Sequence, residues 1–115
     1  MQENNIKLAV SYYTSIGKKN LEKFTNLLHP DVNFFAPIAN LVGKDAVIEA
    51  TEHFMNMISS LEIRAKFGSE EQALIIYDIF IPKLAKKISG ASLINIKENL
   101  ITRIELFYDG SLFID

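Results

Sequence analysis

Leu61–Ile81, LEIRAKFGSEEQALIIYDIFI, is the stretch that decides the fold. Apolar and charged residues alternate from Leu61 to Phe67, which is typical of a strand with one face in the core and the other in water. Gly68–Gln72 supplies a polar turn, and Ala73–Ile81 continues as a nearly unbroken apolar run rich in β-branched residues. The stretch therefore predicts two paired strands, of which the second is buried more completely than the first.

Asp78 is the only charged residue in that apolar run. Burying an unpaired carboxylate costs several kcal/mol or forces it to take up a proton. The residue is therefore either paired with a cation, sited at a wet cavity, or poised as an acid or base. All three alternatives remain open from the residues alone.

Helical periodicity precedes this stretch, and strand periodicity follows it. The pattern predicts helices over 3–16, 20–28 and 45–58, with a short strand over 32–36 between the second and third. Strands are predicted over 61–67, 73–81, 90–97 and 101–108, with a tight turn at Asn99 before the last one. This order predicts an α+β fold in which three N-terminal helices pack against one curved, mostly antiparallel sheet. No repeat or linker divides residues 1–115, so we expect a single domain.

Composition excludes several classes of protein. The 115 residues are 49% apolar and 23% charged, with a net charge of -2, as in an ordinary globular protein. The longest basic clusters, Lys18-Lys19 and Lys86-Lys87, do not form the stripe that nucleic-acid phosphates require. No apolar run approaches the roughly 18 residues of a membrane span. We therefore expect a cytoplasmic protein that binds neither nucleic acid nor membrane.

Metal and cofactor motifs are missing as well. The chain has no cysteine, which rules out disulfides, thiolate nucleophiles and cysteine-based zinc sites. Its two histidines are not at ligand spacing, and no glycine-rich phosphate loop is present. We expect His29 to close the second helix, whereas His53 either lines a cavity mouth or faces water. No metal and no cofactor are expected.

Several motifs together carry a resemblance that each alone would not. In chain order they are Tyr12-Tyr13, Asn20-Leu21, Leu28-His29-Pro30-Asp31-Val32, Gly43-Lys44-Asp45-Ala46-Val47, Tyr77-Asp78, and Leu100–Asp109. From about Ile6 to Asp109 the chain resembles the nuclear transport factor 2-like (NTF2-like, cystatin-like) superfamily, and within it the SnoaL-like branch related to polyketide cyclases and ketosteroid isomerases. The resemblance implies a cone-shaped α+β barrel that encloses an apolar cavity, commonly in a homodimer packed through the sheet.

The isomerase branch offers a chemical test of activity. Its members resemble one another in a general-base Asp at the end of the first strand and in an oxyanion hole made by a helix-1 Tyr and a protonated carboxylic acid. Matching these positions puts Ala36 where the base would stand and Ser92 where the acid would stand. Only Tyr12 or Tyr13 could retain its role, so ketosteroid isomerase activity is not expected.

The resemblance also implies which residues face the cavity. Aligned strand by strand, Leu74, Ile76, Asp78 and Phe80 lie on the cavity face, and Tyr77 points away from it toward an interface or the surface. Asp78 is then the best remaining carboxylate for proton transfer, with Tyr13 as its hydroxyl partner. The expected pocket residues are Tyr12, Phe34, Ala36, Phe54, Met57, Phe80, Ser92, Arg103 and Glu105.

The last strand allows two interpretations. Periodicity alone would bury Leu100, Ile104, Leu106 and Tyr108 in the core, leaving Arg103 and Glu105 exposed. The resemblance instead turns Glu105 toward the cavity, and Ile104 and Leu106 toward a second subunit. Under that second interpretation Arg103 is the natural partner of Asp78 or Glu105.

Three functions are compatible with these observations. The chain could be a cofactor-independent isomerase, hydratase or cyclase that uses Asp78. It could be a noncatalytic protein whose cavity binds a small hydrophobic molecule. It could also be a noncatalytic dimeric interaction domain without a ligand. We favour a ligand-binding SnoaL-like homodimer, with catalysis by Asp78 as an open alternative.

Overall fold

The structure is a computed structural model that describes residues 2–37 and 39–109. Its helices are α1 (Gln2–Gly17), α2 (Leu21–Thr25) and α3 (Lys44–Met57). Its strands are β1 (Leu28–Ala36), β2 (Ala39–Val42), β3 (Ser60–Gly68), β4 (Gln72–Ile81), β5 (Lys86–Lys97) and β6 (Leu100–Phe107), with a single 3-10 turn between β4 and β5. Within the described ranges, no helix is both long enough and apolar enough to cross a membrane.

The six strands form one open sheet in the order β2-β1-β6-β5-β4-β3. Neighbouring strands are antiparallel except for β1 and β6, which run parallel. Because β2 and β3 are free edges, the helices and not strand pairing complete the cone. The predicted α+β fold with a curved, mostly antiparallel sheet is confirmed.

The helices cover the concave face of this sheet. α1 packs across β3 and β4, and α3 packs against β1 and β2. The apolar stripe of α1 is fully buried at Ala9, Tyr12, Tyr13 and Ile16, as its helical spacing predicts. Asn20 caps α2 by accepting a 3.2 Å hydrogen bond from the Lys23 backbone N–H. The core therefore lies between the helices and the concave face.

Successive residues of β4 lie on opposite faces of the sheet. Ala73, Ile75, Tyr77, Ile79 and Ile81 are all buried against the helices. The residues between them lie on the outer, convex face, where Leu74 and Ile76 are half-buried and the Phe80 side chain is exposed. The interpretation that placed Leu74, Ile76, Asp78 and Phe80 on the cavity face is therefore wrong. A shift of one residue in matching a strand moves every side chain to the opposite face.

Two local predictions are also corrected. α2 ends at Thr25, and the chain enters β1 at Leu28, so His29 belongs to a strand and does not close a helix. Its Nδ1 accepts a 2.9 Å hydrogen bond from the Asp31 backbone N–H. β2 was not predicted: its four residues, Ala39–Val42, are too short for a periodic signal and pair only with β1.

Candidate functional site

A cavity of about 330 Å³ opens between α1, α3 and the concave face of the sheet. α1 contributes Tyr12, Tyr13 and Ile16, and the second half of α3 contributes Ala50, Thr51, His53, Phe54 and Met57. The sheet completes the wall with Phe34, Ala36, Ala39, Leu41, Tyr77, Ile79, Ile88, Leu106 and Tyr108. The lining is almost wholly aliphatic and aromatic, so the polar groups that interrupt it determine its chemistry.

The structure brings six of the predicted site residues to this wall and separates the other five from it. Along the wall lie Tyr12, Tyr13, Phe34, Ala36, Phe54 and Met57. Ser92 is fully buried behind it, whereas Asp78, Phe80, Arg103 and Glu105 belong to the outer face of the sheet. The predicted carboxylate, arginine and glutamate are therefore absent from the wall.

Asp78 sits in a polar cluster on the outer face. Only 10% of its side chain is exposed, and its Oδ1 accepts a 2.5 Å hydrogen bond from the Ser89 hydroxyl. Arg64 Nη1 lies 3.5 Å from Oδ1, and Lys87 Nζ lies 3.5 Å from Oδ2. The hydrogen bond from Ser89, helped by the two cations, holds the pKa of the Asp78 carboxyl below its usual value despite partial burial. The placement of Asp78 at the cavity is corrected: it is an ionised, paired carboxylate outside the cavity.

Arg103 pairs with Glu105 and not with Asp78. Their Nη2 and Oε1 atoms are 3.6 Å apart, and the Arg103 guanidinium lies 4.5 Å from the centre of the Phe35 ring. On the opposite side of β6, Ile104 is fully buried and Leu106 lines the cavity. Periodicity alone therefore oriented this strand correctly, and the orientation implied by the resemblance, with Ile104 and Leu106 facing a partner, is wrong.

The polar end of the cavity is a cluster of tyrosines. The Tyr13 and Tyr77 rings are stacked, with centroids 5.0 Å apart and an angle of 25° between their planes. Tyr12 packs edge-on against Tyr13 at 4.9 Å. All three side chains are at most 4% exposed, although each reaches the cavity. Phenol rings buried in this way present apolar faces and a few hydroxyl groups to a ligand.

Burial raises the pKa of every one of these phenols. The pKa of Tyr77 rises to about 12, with a further upward contribution from Tyr108 and a partial offset from a hydrogen bond with Tyr13. Burial likewise raises the pKa values of Tyr12 and Tyr13 well above the ordinary value for tyrosine, and Tyr77 adds to both. The cluster is therefore fully protonated near neutral pH, so it can donate hydrogen bonds but has no phenolate to act as a base.

Two smaller hydroxyls lie close to the tyrosines. Hydrogen bonding to Thr51 partly offsets the rise in the pKa of Tyr12. Ser92 lies near the Tyr13 hydroxyl and similarly lowers its pKa, but Ser92 Oγ has no partner with the geometry of a formed hydrogen bond. The position that resembles the acid of an isomerase oxyanion hole therefore holds a fully buried serine that does not reach the cavity.

Sequence reasoning missed the residue that defines the polar end. Tyr77 was assigned to the opposite face because Asp78 was assigned to the cavity, and adjacent strand residues point in opposite directions. The one available signal was that Tyr77 shares its alternation with Ala73, Ile75, Ile79 and Ile81, a set without a charge. Thr51 and His53 also line the cavity, and His53 is at the same time exposed, so the two alternatives left open for His53 hold together.

The outer face of the sheet carries a contiguous apolar surface. Cross-strand pairing brings together six residues, which we call the outer apolar patch: Phe67, Leu74, Ile76, Ala91, Leu93 and Phe107. Phe67 is 57% exposed and Phe107 is 50% exposed. The Asp78 cluster lies at one end of this patch and the Arg103–Glu105 pair at the other. An apolar centre with charged margins has the composition of a protein interface.

No metal centre is evident: residues 2–37 and 39–109 contain no group of three or more His, Asp or Glu side chains that could hold an ion.

Comparison with known proteins assigns the chain to a family. Residues 9–104 match the family described as the SnoaL-like domain. A search of curated proteins finds no significant match. The fold therefore has a clear family assignment, whereas no curated relative indicates an activity.

Several solved structures share the fold. An NTF2-like protein of unknown function from Cytophaga hutchinsonii is 16% identical with a TM-score of 0.81, over 94% of this chain and 92% of that one. A protein from Kribbella flavida provisionally named a ketosteroid isomerase is 16% identical with a TM-score of 0.85, over 94% and 79%. A protein from Sinorhizobium meliloti provisionally named a polyketide cyclase is 15% identical with a TM-score of 0.80, over 88% and 94%. At such identities the likeness shows the NTF2-like fold alone.

Proposed function

Because the chain belongs to the SnoaL-like family, we propose that it binds one small, mainly apolar molecule in the cavity between α1, α3 and the sheet. One observation carries the proposal: the cavity has a volume of about 330 Å³ and an aromatic and aliphatic wall. Sites for small molecules start at roughly this volume, about 300 Å³, and have this kind of wall. An empty apolar space of this size would otherwise cost stability through lost packing.

The size and polarity of the cavity limit the kinds of molecule that it can bind. Since no lysine or arginine is among the described residues of the wall, an anionic ligand would lose its hydration without gaining a cation. A neutral molecule with one or two fused rings matches the volume and the flat aromatic surfaces. The hydroxyls of the tyrosine cluster then supply the few polar contacts.

The positions of the acidic residues favour a protein that binds its ligand without using a carboxylate as an acid or base. The wall, as far as the chain is described, contains no Asp or Glu, and Asp78 is already paired on the outer face. A proton-transfer enzyme would need another base. His53 is the one imidazole on the wall, and an imidazole can both accept and return a proton. A lyase or isomerase that uses His53 with a tyrosine hydroxyl is therefore the second candidate, in keeping with the names of two structural neighbours.

We further propose that the protein is a homodimer joined through the outer apolar patch. Six apolar residues on four neighbouring strands form a contiguous surface, whereas apolar surface residues that need no explanation are scattered singly. A noncatalytic interaction domain without a ligand would use the same patch. That alternative and a ligand-binding dimer differ only in whether the cavity holds a ligand.

Native mass spectrometry of protein purified from its own host tests the proposal. We expect a bound neutral molecule that denaturation releases, and that is absent when a cavity-filling variant is purified in the same way. Ala50→Phe fills the cavity from α3, and Glu49→Phe, an exposed neighbour on the same helix, is the matched control. Equal release from both variants would place the molecule elsewhere and contradict the proposal.

A further inference from the structure

Tyr77 occupies the wall of the cavity at its polar end. Tyr77 is 4% exposed, its ring stacks on Tyr13 at 5.0 Å, and it lies on β4, between β5 and the edge strand β3. Both rings are thus held between a helix and the sheet, so the Tyr77 hydroxyl has a defined position in the wall.

Gly90 on β5 makes this position possible. Gly90 is the cross-strand neighbour of Tyr77, and a Cβ atom placed on it would lie 2.9 Å from the Tyr77 hydroxyl oxygen and 3.0 Å from Cζ. Contacts this short do not occur for real Cβ atoms, so any other residue would push the phenol away from the strand. The missing side chain lets Tyr77 lie against β5.

The hydroxyls of Tyr13 and Tyr77 affect each other's pKa: their interaction raises the pKa of Tyr13 and lowers that of Tyr77. A phenol can accept one hydrogen bond and still donate its own proton, so the Tyr77 hydroxyl can donate to a ligand. Tyr12, by contrast, interacts with the hydroxyl of Thr51.

We propose that Tyr77, positioned by Gly90 and by the stacked ring of Tyr13, donates the hydrogen bond that selects the ligand, and that the cavity prefers neutral molecules with a carbonyl-type oxygen on an apolar frame. This rests on the proposed function, because it presupposes that the cavity binds a small molecule. The α1 tyrosines, which the resemblance implies as donors, act differently: Tyr13 is a positioning residue and Tyr12 contributes apolar surface.

A pair of probes with the same frame tests this inference. Tetralone is a bicyclic ketone, and tetralin is the hydrocarbon that lacks its oxygen. We define the selectivity as the Kd for tetralin divided by the Kd for tetralone, measured by calorimetry in each variant. Comparing this ratio between variants cancels the different hydration of the two probes. One neutral hydrogen bond corresponds to a change of about three- to tenfold.

We expect Tyr77→Phe to lower the selectivity about three- to tenfold while the Kd for tetralin stays nearly constant. Gly90→Ala, which displaces the hydroxyl without removing it, should lower the selectivity in the same direction. Tyr12→Phe tests the competing donor on α1. Thr102→Val removes a half-buried hydroxyl that is not on the cavity wall, and as the matched control it should leave the selectivity unchanged. Thermal unfolding confirms that each variant is folded.

The other possible results of these measurements would each overturn part of the proposal. An unchanged ratio in Tyr77→Phe, or a loss in Tyr12→Phe instead, would overturn the role of Tyr77 while leaving ligand binding intact. Tighter binding of a naphthalene carboxylate than of tetralone to the wild type would overturn the preference for neutral acceptors. Failure of both probes to bind the wild type would overturn the proposed function and this inference with it.

Discussion

Ser89 donates a 2.5 Å hydrogen bond to Asp78, its cross-strand neighbour on the outer face of the sheet. This contact, with Arg64 and Lys87 beside it, explains how a carboxylate is accommodated in an otherwise apolar strand. Of the three explanations that the sequence allowed, pairing is the one observed. The strongest argument for an enzyme based on Asp78 is thereby removed.

The Asp78 cluster predicts a specific acid dependence of stability. Because the folded-state pKa of Asp78 lies below its unfolded value, its contribution to the free energy of unfolding is present above about pH 4 and is lost as the pH falls through the folded-state pKa. We expect Asp78→Asn to lower stability at pH 7 and to flatten this acid limb. Urea unfolding between about pH 2 and 7 measures both. Asp31→Asn, an exposed residue, is the control, and equal acid limbs in the two variants would contradict the role of the cluster.

The buried phenols predict a loss of stability in alkali. The folded chain keeps the Tyr77 proton up to a pKa of about 12, whereas the unfolded chain releases it near pH 10. The free energy of unfolding should therefore fall between these values, by at most about 3 kcal/mol for this group. Urea unfolding of wild type and Tyr77→Phe across this range isolates the contribution. If removal of the phenol leaves the alkaline slope as it was, the phenol is not buried in solution.

A variant that fills the cavity should lose ligand binding while its free energy of unfolding changes little. Ala50→Phe adds an aromatic ring to the wall, which should abolish binding of an apolar probe such as tetralin. Because the ring occupies empty space, we expect the free energy of unfolding to change by less than about 1.5 kcal/mol. Calorimetric titration and urea unfolding check the two expectations. Undiminished probe binding, with normal binding also in Glu49→Phe, would show that the probe binds outside this cavity.

The outer apolar patch predicts the state of association. Leu74 lies at its centre, between Phe67 and Leu93 in the register of the sheet. A buried, unpaired charge costs several kcal/mol, so Leu74→Lys should weaken a dimer by about 100-fold or more. Light scattering would then show the 13.0 kDa chain alone at concentrations where the wild type is twice that mass. Val42→Lys, at an 80% exposed apolar residue of β2, is the control. A monomeric wild type would remove the homodimer from the proposed function.

Much of the fold could be predicted from periodicity, because the alternation of apolar and polar residues is a local property of the sequence. α1, α3, β3, β4, β6 and the tight turn at Glu98-Asn99, where both residues adopt positive φ angles, lie where the pattern predicts them to within about two residues. α2 is shorter than predicted, and β5 begins at Lys86 and not at residue 90. β2 could not be predicted, because its four residues are mostly exposed and become a strand only by pairing with β1. The length of β1 likewise depends on its parallel pairing with β6.

The sequence by itself determined that β4 is apolar on both faces apart from Asp78, and its periodicity favoured the orientation of β6 that turns Ile104 and Leu106 inward. It could not determine which set of β4 residues faces the helices, because both sets are apolar apart from Asp78, and a register shift of one residue exchanges them. Only the tertiary structure decided this, by packing α1 over Tyr77 and leaving Asp78 to the cations of neighbouring strands. The physical reason is that a strand's period specifies two faces, but the elements packed against them specify which is inside.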